Sequence, residues 1–265
     1  MGYLAPAGDP RAVSDLPAGY TEWPAPAGLR HAIACLWAQI TPGGAGRQGL
    51  VLPDGCTDLI WEPGRGAYVA GPDTGPFPTV LPAGTIIIGV RFRPAAGGPA
   101  LGVPLSELRD QRVDLAGLRR AESRRLPGTL DTDTAMVRAL DVAAALVADG
   151  APDAAVRRAA ELLADPRARA DDVAAEIGLS ERQLRRRCQD TVGYGPKTLQ
   201  RVLRFRRFVT LIDAYPGTAG NPRGAAPDLA TIAARVGYAD QAHLTRECRA
   251  LAGLTPAALA RQRAL

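Results

Sequence analysis

Val173-Ala174-Ala175-Glu176-Ile177-Gly178-Leu179-Ser180, continued by Glu181-Arg182-Gln183-Leu184-Arg185-Arg186-Arg187-Cys188, decides the architecture of this chain, because it recurs. The second copy reads Ile232-Ala233-Ala234-Arg235-Val236-Gly237-Tyr238, then Asp240-Gln241-Ala242-His243-Leu244-Thr245-Arg246-Glu247-Cys248. Gly178 answers to Gly237 with a shift of 59. Leu184 and Leu244, Cys188 and Cys248, Gly193 and Gly253, and Pro196 and Pro256 are each 60 apart, so one residue enters before the second helix of the second copy. Recurrence over Asp171 to Pro196 and Asp228 to Pro256 marks a duplicated supersecondary unit.

Each copy reads as a helix-turn-helix. The small residues Ala174 and Ala233 stand where two helices cross and their backbones approach. Gly178 and Gly237 stand where the turn calls for positive φ. Ser180 with Gln183 three residues on is a capping box that opens the second helix. Leu184 and Cys188, four apart, face inward, which leaves Arg182, Arg185, Arg186 and Arg187 on other faces. One pair of short helices would say little, but two copies with matched glycines, leucines and prolines point to DNA binding.

Charge follows the same division. Residues 1–150 carry 13 arginines against 15 acidic groups, a net of −2. Residues 151–265 carry 19 basic against 12 acidic groups, a net of +7. The positive excess is confined to the half that holds the repeats, as a polyanion-binding domain requires. Hydrophobic residues make up 46% of 265, enough for two domains with their own cores, and no apolar run approaches a bilayer span. Met1 to Gly19 is rich in Pro, Ala and Gly without a basic start, so it does not read as a signal peptide. Four scattered cysteines with no CxxC fit a reduced, cytoplasmic setting.

Taken in order, residues 1–28 read as a loose, proline-punctuated leader, and Leu29 to Ile40 mixes helical and strand spacing. From Gly49 short apolar runs (Leu50 to Leu52, Leu59 to Trp61, Tyr68 to Ala70) alternate with Pro/Gly turns, and Thr85 to Phe92 is a β-branched strand. Many short strands predict a small sandwich or barrel. Pro104 to Arg109 reads as a short helix, and polar Ser123 to Asp133 joins the halves. Thr134 to Ala148 is an amphipathic helix with Val137, Leu140, Ala144 and Val147 at steps of three and four, and Pro152 starts another that runs to Ala164. Pro196 to Asp213 is one long helix opened by its proline. Leu199, Val202, Phe205, Val209 and Ile212 form its buried stripe. Tyr215 to Pro227 reads as a flexible linker, and Thr255-Pro256 opens the last helix. The expected fold is α+β and multidomain. It comprises an N-terminal all-β domain (1–125), a helical linker (126–153) and an all-α domain with two helix-turn-helix units joined by a long helix (154–265).

About 154–263 resembles the AraC/XylS family of bacterial transcription regulators. The likeness rests on both units, the long helix and the closing run Gly237-Tyr238-Ala239-Asp240-Gln241-Ala242-His243-Leu244-Thr245-Arg246 with Gly253-Leu254-Thr255-Pro256. The chain departs from that pattern at Cys188 and Cys248, where Phe is usual, at Ala239 and Ala242, where Ser or Thr is commoner, and in a longer linker before Pro227. The N-terminal part resembles the cupin-like input domain of a subset of these regulators, through Leu52-Pro53-Asp54-Gly55-Cys56-Thr57-Asp58-Leu59, Gly89-Val90-Arg91-Phe92-Arg93-Pro94 and Leu108-Arg109-Asp110. That resemblance implies a β-barrel and no particular ligand.

In a helix-turn-helix the second helix enters the major groove, and only its outer face meets base edges. Those residues are Arg182, Arg185 and Arg186 in the first copy, and Gln241, His243, Thr245 and Arg246 in the second. By the family resemblance Arg186 and Arg246 are equivalent positions. Arg201, Arg204 and Arg207, on one face of the long helix, are candidates for phosphate contacts. Two units on a rigid helix would address successive groove segments, roughly 34 Å apart, so a monomer can read an asymmetric site. Catalysis is not expected. The two histidines, His31 and His243, lie in different domains, which leaves no metal cluster, and no nucleophile or nucleotide motif is present. No cofactor is called for. Cys56, between Asp54 and Asp58, and Cys35 are candidates for an effector or thiol site, although a core thiol is the simpler account. The partners expected are double-stranded DNA, RNA polymerase, a small-molecule effector and, through 134–164, a second copy, with no membrane. The N-terminal domain reads either as a small-molecule or redox sensor or as an oligomerisation or polymerase-contact module.

Overall fold

A computed structural model describes residues 9–44, 46–214 and 228–263. Residues 1–8 of the expected leader and the expected linker Tyr215 to Pro227 lie outside them. The N-terminal part contains β1 (Gly19–Pro24), β2 (Ile33–Ile40), β3 (Arg47–Val51), β4 (Thr57–Glu62), β5 (Gly66–Ala70), β6 (Phe77–Leu81), β7 (Ile86–Phe92) and β8 (Arg112–Asp114). The short helices α1 (Gly97–Leu101), α2 (Leu115–Leu118) and α3 (Arg120–Ser123) and a 3-10 turn at Leu105–Glu107 complete its loops. The long α4 (Thr132–Asp149) follows, then α5 (Ala154–Leu163), α6 (Ala170–Glu176), α7 (Glu181–Val192), α8 (Pro196–Asp213), α9 (Leu229–Val236), α10 (Gln241–Ala252) and α11 (Pro256–Arg263). The β-rich half followed by a helical half is the expected class.

Six strands form an antiparallel sheet in the order β1-β2-β7-β4-β5-β8, and β3 pairs with β6 in a separate ribbon. Two readings change here. The leader contributes β1, because Trp23 is buried and Gly19 to Pro24 pair with Ile40 to Cys35; edge pairing overrides the prolines. The ambiguous stretch before Ile40 is β2, an inner strand.

Side chains alternate across the sheet, and its two faces differ in kind. Leu36, Leu59, Trp61, Ile88, Val90 and Phe92 form an apolar face against α4, which supplies Ala135, Met136, Ala139, Val142, Ala143 and Leu146. Removing each large side chain from water stabilises the fold by about 1.5–3 kcal/mol. α4 is therefore part of the N-terminal core rather than a linker. Its buried stripe runs one residue earlier than the expected one, which leaves Val137 exposed. The apolar face invoked for dimerisation is already covered by the sheet.

A second core fills the helical half, from Val156 in α5 to Leu259 in α11, and Ala95 and Leu52 of the N-terminal part pack into it. The two halves meet closely. A Cβ on Gly98 of α1 would lie 2.7 Å from the Asp190 carbonyl oxygen of α7, and Asp153 N–H donates to the Ala95 carbonyl at 3.1 Å. Gly193, which ends α7 at φ 92°, would place a Cβ 2.4 Å from Pro72 Cγ. Gly193→Ala is accordingly expected to cost about 2–4 kcal/mol, left-handed strain plus overpacking. Gly178→Ala, at φ 71° with nothing within 4 Å of its Cβ, should cost only about 1–2 kcal/mol. Urea unfolding of the two variants side by side checks the difference; equal losses would count against the Pro72 contact.

Candidate nucleic-acid interface

In the first unit the turn after α6 closes through Leu179 N–H donating to the Ala174 carbonyl at 2.9 Å. Ser180 and Gln183 form the capping box, with Ser180 N–H donating to Gln183 Oε1 at 2.8 Å. Leu184, Cys188 and Val192 anchor α7 in the core, and this fixes which face points out. Arg182, Arg185 and Arg186 are exposed, and their guanidinium groups have no intramolecular partner among the described residues. Arg187 differs: it forms a bidentate pair with Asp153, both distances 2.7 Å, while Asp153 also caps α5. One arginine of four thus sets the tilt of α7, and the other three face solvent.

The second unit repeats the geometry with other chemistry. Tyr238 N–H donates to the Ala233 carbonyl at 2.9 Å across the Gly237 turn, and Asp240 caps α10 by accepting from His243 N–H at 2.6 Å. Leu244, Cys248, Leu251 and Ala252 are its buried side. Gln241 and Arg246 are exposed, Arg246 without an intramolecular partner among the described residues. His243 and Thr245 are half-buried. The His243 ring packs edge-on against Tyr238 at 5.1 Å, and its Nδ1 accepts from Ala239 N–H at 3.4 Å. Thr245 Oγ1 donates to the Gln241 carbonyl at 2.9 Å. These two side chains are turned toward the protein's own turn and helix. Arg249 is also exposed, one turn beyond Arg246, as its spacing of three from Arg246 implies.

The three α8 arginines named as phosphate candidates, Arg201, Arg204 and Arg207, have intramolecular partners. Arg201 pairs with Glu247 of α10 at 2.8 and 3.2 Å, a hydrogen-bonded contact that raises its pKa against the cost of desolvation. Arg204 donates to the Pro166 carbonyl at 3.1 Å and lies over the Tyr238 ring, and Arg207 donates to the Ala164 carbonyl at 3.0 Å. They brace α8 against the end of α5 and against α10, which keeps the two outer helices in one frame.

The second face of the N-terminal sheet is polar and aromatic. Arg91 on β7 meets Asp58 at 3.0 Å, Glu22 at 3.2 Å and Asp54 at 3.5 Å, and Trp37 Nε1 donates to Asp58 at 2.8 Å. Around them lie Tyr20, Cys35, Ile60, Tyr68 and Ile87. Burial pushes the Asp58 carboxyl above its usual range, against the pull of Arg91. Burial weakens the Arg91 cation, but Asp58 and Asp54 outweigh it and its pKa rises.

Cys35 and Cys56 are both buried. Burial pushes the Cys35 thiol up to about 12 and the Cys56 thiol well above its ordinary value, with Asp54 adding to the latter. Cys188 and Cys248, also buried, are pushed up to about 12. A thiol held protonated is a poor nucleophile. Native protein at pH 8 is expected to resist iodoacetamide at all four positions, and denatured protein to take up four groups, by intact mass. Rapid native labelling of Cys56 or Cys35 would restore the thiol-site reading.

The duplicated units, their shared core and their outward arginines define a helix-turn-helix DNA-binding protein. Residues 173–262 match the family model described as a helix-turn-helix domain, and residues 21–114 match a domain of unknown function, DUF6597. The chain carries an AraC-type helix-turn-helix domain and is a DNA-binding transcription regulator. No curated protein matches it significantly. Among solved structures, an apo ToxT variant from Vibrio cholerae is similar at 11% identity and a TM-score of 0.46, over 85% of this chain and 97% of that one. An unsaturated fatty acid bound wild-type ToxT is similar at 11% identity and a TM-score of 0.39, over 85% and 90%. Among the described residues no helix is long and apolar enough to cross a membrane.

Proposed function

We propose that this regulator reads an asymmetric DNA site as two successive major-groove segments, one with α7 and one with α10. The carrying observation is that two equivalent helices in one core present unpaired Arg182, Arg185 and Arg186 on one side and exposed Gln241 and Arg246 on the other. Bidentate arginine–guanine contacts and glutamine–adenine contacts fit those side chains. His243 and Thr245 support the turn and helix start, and Arg249 is a further contact. The regulator would act in the cytoplasm.

Modulation through the N-terminal domain belongs to the same reading. Its polar sheet face offers a small molecule aromatic walls and an ion cluster, whereas the helix face suited to dimerisation is covered. A fatty acid such as ToxT binds does not carry over to this face. Three carboxylates gather round Arg91 there, and a further carboxylate would be repelled.

Selection of bound duplexes from a random pool tests the reading. Two conserved segments about one helical turn apart are expected. Salt-sensitive binding with no enriched sequence would reduce the basic half to an electrostatic surface and remove the proposal.

A further inference from the structure

One loop of the N-terminal domain, residues 71–76, touches the far ends of both outer helices. Pro72 packs on Gly193, the residue that ends α7. Pro76 lies against Gly253, the residue that ends α10 (3.6 Å from where its Cβ would be), and Gly75 faces the Ala250 carbonyl in the same helix. Gly193 and Gly253 are equivalent positions of the duplication, and the two prolines that meet them are four residues apart on a single loop.

The loop is held stiffly. Asp73, only 8% exposed, forms a bidentate pair with Arg112 of β8 at 2.9 and 2.8 Å, and Arg112 stacks on the Phe77 ring at 3.8 Å. Asp110 accepts from Thr74 N–H at 2.7 Å and from its hydroxyl at 2.8 Å. Backbone bonds close the base: Gly71 N–H to the Gln111 carbonyl, and Asp110 N–H to the Pro72 carbonyl. A loop fastened at three points to the sheet transmits position rather than absorbing it.

We infer that Pro72 and Pro76 are positioning residues for DNA reading: by bracing equivalent ends of α7 and α10, the N-terminal domain fixes the separation and relative rotation at which the two helices meet the duplex. The contacts fall on the C-terminal ends. Arg182, Arg185, Arg186, Gln241 and Arg246 sit in the first two turns of their helices, and of the proposed contacts only Arg249 lies near the loop-facing end. Elsewhere α10 is tied to α8 through Arg201 and Glu247, and α7 to the start of α5 through Arg187 and Asp153. The inference rests on the proposed reading of two groove segments and adds to it a narrow tolerance for their spacing.

The test compares wild type with Pro72→Ala/Pro76→Ala on duplexes selected by the wild type, with the two segments moved by −1, +1 or +2 base pairs. Each step rotates one segment by about 34–36° relative to the other. The wild type is expected to lose roughly tenfold to a hundredfold in affinity per step, the worth of a good base contact. The double variant should tolerate the shifts within about threefold, with its affinity for either segment alone unchanged. Arg112→Ala, which frees Asp73, provides a second route to the same loosening, and thermal melting verifies that each variant is folded. A folded variant with the wild-type spacing profile overturns this inference and leaves the DNA reading standing. A wild type with no sequence preference overturns both.

Discussion

Replacing Arg186 and Arg246 together by alanine is expected to lower affinity for the selected DNA site by on the order of a hundredfold or more, while weak, sequence-blind binding persists. The two positions are equivalent in the duplication, both exposed, and both without an intramolecular partner among the described residues, so the substitution removes contacts with DNA and little else. Each good bidentate arginine–guanine contact is worth roughly 1–3 kcal/mol of discrimination, and the two lie on separate helices where losses add. The phosphate-driven part of binding survives, and its dependence on salt should change by only about two charges' worth of slope. Fluorescence anisotropy on selected and scrambled duplexes measures both quantities. Equal loss on the two duplexes would reassign the arginines to the backbone.

The second large effect concerns stability. Arg91→Ala is expected to destabilise the protein by about 3–5 kcal/mol, because it removes the cation that Asp58, Glu22 and Asp54 share on a largely buried face. The loss should depend on pH in a defined sense. The Asp58 carboxyl is raised in the folded state, so the folded chain binds its proton more firmly than the unfolded chain does. Its contribution to stability therefore declines as pH rises from the usual value of 3.8 through the raised folded value. Without Arg91 the force opposing that rise is gone, and the window extends upward. The deficit relative to wild type should be larger at pH 7 than at pH 5, by urea unfolding at both. A loss below about 1 kcal/mol, or one that grows on acidification, would show that the cluster is well solvated.

What the sequence disclosed, and what it withheld, follows from range. The duplication was legible because each copy is local: a glycine, a cap and two inward residues within some twenty positions. The long helix was legible from its proline and its period. The Arg91 cluster was not, since Glu22, Asp54, Asp58 and Arg91 meet only through strand register and one loop. β1 hid behind prolines because an edge strand is made by its neighbour. α4 is amphipathic in the sequence, but no pattern within a helix names what it packs against, and its buried stripe lies one residue earlier than the spacing suggests. The reading helices were half legible. Exposure of Arg186 and Arg246 follows from Leu184 and Leu244, while the folding back of His243 onto Tyr238 depends on a rotamer. The pairing of Arg201, Arg204 and Arg207 was hidden because their acceptors are backbone carbonyls or a distant glutamate.

The close seam between the halves has a practical bearing on hybrid regulators. Gly98 against the Asp190 carbonyl and Asp153 N–H donating to the Ala95 carbonyl are fits between backbones, with no side chain to re-pack around a foreign partner. A chimera spliced near residue 150, where the helical half begins, would bring together two surfaces that were never matched. To graft this N-terminal half onto another helical half, or the reverse, the seam on α1 and its imprint on α7 must travel together.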